Sequence, residues 1–124
     1  MGDHLTRIQP IKKYLIDRGW RTPDTYGKEF AAAGDFPAVY LFLLHETEYY
    51  NHGMVAYVGM SKMLARRWCG HNILRQLPSS FDWYRQRWFI PTAEDALRDV
   101  EKHYIQKYNP PWNIVGKARG VHLQ

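Results

Sequence analysis

Apolar residues recur at helical spacing from Ile8 to Gly19, where Ile8, Ile11, Leu15 and Ile16 form a stripe and Lys12, Lys13 and Arg18 fill other positions. Gly19 is placed to end this helix. From Arg21 to Pro37 the pattern breaks, and Pro23, Gly27, Gly34 and Pro37 punctuate a connector with room for one helical turn at Lys28 to Ala33. Ala38 to Leu44 is a near-continuous apolar run containing Val39, Tyr40 and Phe42, the pattern of a buried strand. A polar loop, His45 to Gly53, leads to a second short strand, Met54 to Val58. The link is too short for a helical crossover, so the pair is expected to be antiparallel.

Ser61 is placed to cap a helix over Lys62 to His71, with Leu64 and Trp68 on its buried face and Arg67 and His71 on an adjacent one. Asp82 to Ile90 alternates Trp83, Arg85, Arg87 and Phe89 against Tyr84, Gln86, Trp88 and Ile90, which predicts a third strand. Thr92 and Asp95 resemble a capping box for a long helix that ends before Pro110-Pro111. Its apolar stripe is Ala93, Ala96, Leu97, Val100, Tyr104 and Ile105. The predicted fold class is α+β: a small central antiparallel three-stranded sheet flanked by helices. Residues 1–37 form an N-terminal helical extension and connector, residues 38–124 the main module, and the two a single compact unit.

A chain of 124 residues suffices for one core and leaves no room for a separate recognition domain. Its 45% apolar and 15% aromatic content excludes a disordered chain. No apolar run approaches the roughly 20 residues that span a bilayer. Met1 to Gln9 lacks the apolar stretch of a signal peptide, and the single cysteine, Cys69, cannot form an internal disulfide. A cytoplasmic protein without a membrane partner is expected. The net charge of +5 is unevenly spread: from Asn51 to Ala93 stand Lys62, Arg66, Arg67, Arg75, Arg85 and Arg87 against Asp82 alone, and the rest of the chain sums to zero. Such a surplus suits the approach of a polyanion.

Within this basic region, Tyr57-Val58-Gly59 followed by Arg67 and His71 brings together a phenol, a guanidinium and an imidazole. Glu101 falls between Leu97 and Ile105 and so borders the buried stripe, where an unpaired carboxylate is costly unless a metal or an arginine compensates it. Taken singly, Tyr40 and Tyr57 read as strand aromatics and Arg67 and His71 as solvated helix residues. Glu101 alone reads as a border carboxylate paired with Lys102 or His103. His45, Glu48 and His52 fit a solvated loop better than a metal site, and Trp83 and Trp88 fit a core better than base stacking.

The joint pattern reads differently. Ala38-Val39-Tyr40 followed by Tyr57-Val58-Gly59 resembles the signature of the GIY-YIG nucleases. Arg67 stands eight residues after Gly59, His71 four after Arg67, and Asn113 twelve after Glu101, near the Ile105 to Pro110 stretch. The resemblance covers roughly Ala38 to Ile114. Ala38 replaces the first glycine of the signature, and the stretch from Tyr40 to Tyr57 is longer than in the simplest members. The resemblance implies an endonuclease that hydrolyses DNA with one Mg²⁺ or Mn²⁺ per site, held by Glu101. Tyr57 would orient or deprotonate the water with Tyr40 as its partner, Arg67 would hold the phosphate, and His71 would accept the tyrosine proton or hydrogen-bond the phenol. Gly59 and Asn113 would support the site. A free phenol titrates near ~10, so Tyr57 would serve as a base only if Arg67 and the metal favoured its anion.

Lys62, Arg66, Arg75, Arg85 and Arg87 are the candidate nucleic-acid contacts. A binding module of the same fold without turnover, or an RNA-cleaving member, are the alternatives. Either a monomer or a homodimer is compatible with the sequence.

Overall fold

A computed structural model describes residues 2–23, 35–44, 54–69, 81–82 and 85–113. The elements are helix α1 (Gly2–Asp17), strand β1 (Ala38–Leu44), strand β2 (Met54–Ser61), helix α2 (Leu64–Cys69), strand β3 (Arg87–Pro91), a 3₁₀ turn (Glu94–Ala96) and helix α3 (Leu97–Tyr108). The strands form one antiparallel sheet in the order β2-β1-β3, giving the α+β class that the hydrophobic pattern predicts. The helical turn expected at Lys28 to Ala33 and the loop from His45 to Gly53 lie outside the described residues. Among those described, no helix is long and apolar enough to cross a membrane.

Central strand β1 is buried along its whole length because both sheet faces are covered. Val39, Leu41 and Leu43 enter a core with Leu15, Trp20, Trp88, Leu97 and Tyr104. Tyr40, Phe42 and Leu44 enter a second core with Leu64, Trp68, Phe81 and Phe89. An alternating polar face is impossible in such a strand, which explains its unbroken apolar sequence.

The N-terminal segment shares the first of these cores through Leu15 and Trp20. Helix α1 starts before the predicted Ile8 and runs through Pro10. Its end is set by Gly19 at φ 92°, with the Gly19 N–H donating to Ile16 O and the Trp20 N–H to Leu15 O, both at 3.0 Å. This glycine-terminated turn directs the chain back to the sheet. Arg21 then exchanges two backbone hydrogen bonds with Phe89, at 2.9 and 2.8 Å, on the outer edge of β3. Ile16, expected in the buried stripe, is 59% exposed. The stripe narrows to Ile8, Ile11 and Leu15.

Several element ends differ from the sequence expectation. Strand β2 continues past Val58 because Val39 pairs with Met60 and Ala38 with Ser61. Strand β3 begins at Arg87, since the Arg85 and Gln86 N–H groups before it both donate back to Asp82 O. The Gln86 amide donates to Leu43 O at 2.9 Å and accepts from the Asp82 N–H at 2.9 Å, bracing Asp82 against β1. No side-chain cap forms at the start of the 3₁₀ turn or of α3. Thr92 donates its hydroxyl to Ile90 O instead, at 2.8 Å. The helix ends as expected before Pro110, with Asn109 in the left-handed region at φ 46°.

The helix predicted from Lys62 starts at Leu64, and its cap comes from another part of the chain. Ser61 Oγ accepts from the Met63 N–H, at 3.0 Å. Asp35 accepts from the Ala65 and Arg66 N–H groups at 2.8 and 3.1 Å, and Phe36 O accepts from Leu64 N–H at 3.0 Å. Burial acts to raise the Asp35 pKa, but the N–H groups of Ala65, Arg66 and Phe36 together with the Arg66 charge outweigh it and the net shift is downward. Asp35→Ala is therefore expected to cost about 1 kcal/mol in urea unfolding at neutral pH. Because the folded pKa is depressed, this contribution is present above the ordinary aspartate pKa of about 4 and fades as pH falls through the folded value. Equal stability of the variant and the parent at pH 7 would show that the cap contributes nothing.

Candidate functional site

The site is built around an irregularity in β2. Phe42 pairs with Tyr57 but Leu43 pairs with Val55, so Ala56 is an extra residue and the strand bulges immediately before Tyr57. In a regular strand Val55 and Tyr57 would share a face. The bulge lets Val55 and Val58 enter one core while Tyr57 packs against the other, beside Tyr40 and Phe42. The Tyr57 ring stacks on Phe42 at 5.9 Å between centroids and lies 6.3 Å from the Tyr40 ring.

Gly59 is the cross-strand partner of Tyr40. A Cβ at position 59 would lie 2.6 Å from both Cζ and Oη of Tyr40 and 2.9 Å from Cε2 of Tyr57. Glycine is needed here because both phenols approach its backbone.

Helix α2 covers this face with buried Leu64 and Trp68, and the Trp68 ring meets Tyr40 edge-on at 5.8 Å. Arg67, exposed on the same helix, donates to both phenol oxygens, and Tyr40 donates its hydroxyl to Tyr57. Half-buried Glu101 on α3 lies close enough for its charge to act on both phenols. The structure thus brings Tyr40, Tyr57, Gly59, Arg67 and Glu101 together from four elements. His71 and Arg75 lie outside the described residues, as do His45, Glu48, His52 and Trp83.

Burial pushes both phenols up, Tyr40 well beyond its ordinary range, and Glu101 adds to the shift. Arg67 pulls in the other direction and does not prevail. The Arg67 charge, with no metal beside it, is outweighed by desolvation, so both phenols favour their protonated form. Burial also raises Glu101, with Arg98 as the opposing influence. Neither Lys102 nor His103 pairs with it, and no ion pair of Glu101 forms among the described residues.

Asn113 ties the segment after α3 to the exposed edge of β2. Its Oδ1 accepts from the Val58 N–H at 2.8 Å and its Nδ2 donates to Val58 O at 2.9 Å, so one side-chain amide replaces a strand neighbour. Val58 stands between Tyr57 and Gly59, and the contact fixes the C-terminal side of α3 against the site.

The remaining basic candidates are spread out. Lys62 Nζ lies 3.3 Å from Glu94 Oε2, Arg66 stands beside Asp35, and the Arg87 guanidinium sits 4.0 Å over the Trp68 ring. Arg85 belongs to the turn before β3, and Trp88 fills the core. Two relevant residues lie outside the sequence reading. Arg98 acts on Glu101, and its position one turn earlier on the same helix is a signal visible in the sequence. Asp35 anchors the helix that presents Arg67, and no local pattern announces it. Among the described residues no group of three or more His, Cys, Asp or Glu side chains gathers to hold a metal. A scan against protein-family models found no match, and searches of curated proteins and of solved structures likewise found none.

Two substitutions test this geometry. Gly59→Ala is expected to destabilise the fold by about 1–3 kcal/mol through overpacking against the two phenols, read by chemical denaturation and by the near-ultraviolet circular dichroism of tyrosine. An unchanged spectrum and midpoint would contradict the close approach. Asn113→Ala leaves the Val58 N–H and C=O without their partner and should cost about 1–3 kcal/mol. Amide exchange at Val58 should accelerate in that variant before exchange at Leu41, which β1 pairing still protects.

Proposed function

We propose that this chain is a GIY-YIG-type endonuclease that hydrolyses phosphodiester bonds in DNA. The observation that carries the reading is one guanidinium hydrogen-bonded to two phenols, with a half-buried carboxylate inside electrostatic range of both. The order and spacing of these residues, shared with the nuclease signature, supports the same reading.

Glu101 fits a divalent cation because its charged form is disfavoured by burial and Arg98 is its main compensation. With one carboxylate the ion would keep most of its waters and take substrate oxygens, a habit of Mg²⁺. Such an ion supplies charge neutralisation at the phosphate and a more acidic water. Arg67 holds the non-bridging phosphate oxygens, for which its planar fork is suited, and is itself positioned by the two phenol oxygens. Tyr57, neutral and partly accessible, orients the attacking water through its hydroxyl. Tyr40, fully buried, holds Tyr57 and Arg67 in register. His71 is the proposed acceptor of the Tyr57 proton, which Tyr57 replaces with the one it takes from the attacking water.

The test is a panel of plasmid, single-stranded DNA and RNA incubated with Mg²⁺ or Mn²⁺, beside Glu101→Gln and Tyr57→Phe. DNA cleavage by the parent is expected, with both variants reduced at least a hundredfold. Because burial raises the Glu101 pKa, its ionisation opposes folding at neutral pH, and Glu101→Gln should melt at the same temperature as the metal-free parent or higher. Intact substrates throughout, with oligonucleotide binding retained, would leave a binding module in place of an enzyme. Cleavage of RNA alone would move the substrate assignment.

A further inference from the structure

Arg67 borders a depression of about 490 Å³ that is also lined by Ser61, Lys62, Met63 and Arg66. A larger one of about 780 Å³ shares Ser61 and Lys62 with it and continues past Glu94 and Asp95 to Arg98. The two therefore adjoin at Ser61 and Lys62, with Arg67 lining the first and Arg98 the second, and together make one groove. Lys62 is held at 3.3 Å by Glu94, and both side chains are largely exposed, at 72% and 62%. Exposed ion pairs of this kind contribute little, so a competing anion displaces the carboxylate readily. Arg98 is also the cation acting on Glu101, which links the second depression to the site.

We propose that this groove carries the backbone of one nucleic-acid strand past Arg67, with Lys62 and Arg98 each contacting a phosphate. Glu94 occupies the place of the phosphate on Lys62 when no strand is bound. The proposal rests on the nucleic-acid reading of the site but not on turnover. It assigns roles to Arg98 and Glu94 that overall charge does not give them. Removing Glu94 frees a phosphate-binding lysine inside the groove. Removing Asp17, which holds Lys13 at 3.2 Å in an equally exposed pair on α1, changes the net charge identically outside it.

The experiment measures binding of fluorescent single-stranded and duplex DNA oligonucleotides by anisotropy, in EDTA and over a range of salt, for the full chain and its variants. Glu94→Gln is expected to tighten binding about fivefold and Asp17→Asn less than twofold. Lys62→Ala and Arg98→Ala should each weaken it about five- to tenfold and lower the salt slope by about 0.7–0.9. In the double variant Glu94→Gln, Lys62→Ala the gain should disappear. Equal effects of Glu94→Gln and Asp17→Asn, parental salt slopes in both alanine variants, or no binding by the parent would each overturn the proposal. All four side chains are exposed, and thermal melts check that the variants are folded. Groove-dependent binding without any cleavage would remove the nuclease reading alone. Cleavage with binding indifferent to Lys62, Glu94 and Arg98 would remove the groove alone.

Discussion

All seven residues of β1 are buried, and their side chains divide between two cores. A three-stranded sheet covered on both faces still has two open edges, each a row of backbone groups that need partners. The protein closes them economically. Arg21 pairs through its backbone with Phe89 on β3, and Asn113 pairs through its side chain with Val58 on β2. These closures reach beyond stability. The first draws the N-terminal helix into the core. The second fixes the chain twelve residues after Glu101 to a position adjacent to both Tyr57 and Gly59, adding to the packing of Leu97 and Tyr104 that holds α3 against the sheet.

The polar cluster built on this frame opposes its own surroundings. Two phenols and a carboxylate are drawn out of water beside one another, and each responds by holding its proton more tightly. Arg67 attracts both phenol oxygens, and Arg98 attracts Glu101. Hydrophobic packing of Tyr40 against Trp68 and of Tyr57 against Phe42 offsets that cost and keeps the groups together. A carboxylate disfavoured as an anion gains most from a cation that arrives with its ligand. The same unfavourable local balance that limits stability is what the cation proposed at Glu101 would relieve.

What could be read from the sequence was what local periodicity encodes. The apolar run of β1 announced a buried strand, the spacing of Leu64 and Trp68 announced a packed helix face, and Pro110-Pro111 marked the end of α3. Tyr40, Tyr57, Arg67 and Glu101 were individually ordinary residues, and only their joint order suggested that they meet. The illegible parts depend on contacts made across the fold. Asp35 caps a helix whose N–H groups lie thirty residues away, so Ser61 was the nearer and weaker guess. The bulge at Ala56 follows from the need to send Val55 and Tyr57 to different cores, a demand that appears only once both cores exist. Thr92 has a capping side chain, but its hydroxyl finds the Ile90 carbonyl first.

Charge gives the clearest case of a sequence quantity changed by folding. The segment from Asn51 to Ala93 holds the whole positive surplus of the chain, yet its cations do not add up to one field. Glu94 engages Lys62, Asp35 stands against Arg66, and Arg87 lies over an aromatic ring. Two of these three counterweights are acids from outside the segment. At short range they cancel much of what the sum suggests, and over distances beyond about 8–10 Å salt screens the remainder. Arg67 differs because its partners are two neutral phenols, which orient the guanidinium without neutralising it. Its charge is therefore available to an incoming anion. Arg67 thus matters less through the total charge of the stretch than through partners that hold it without an opposing charge.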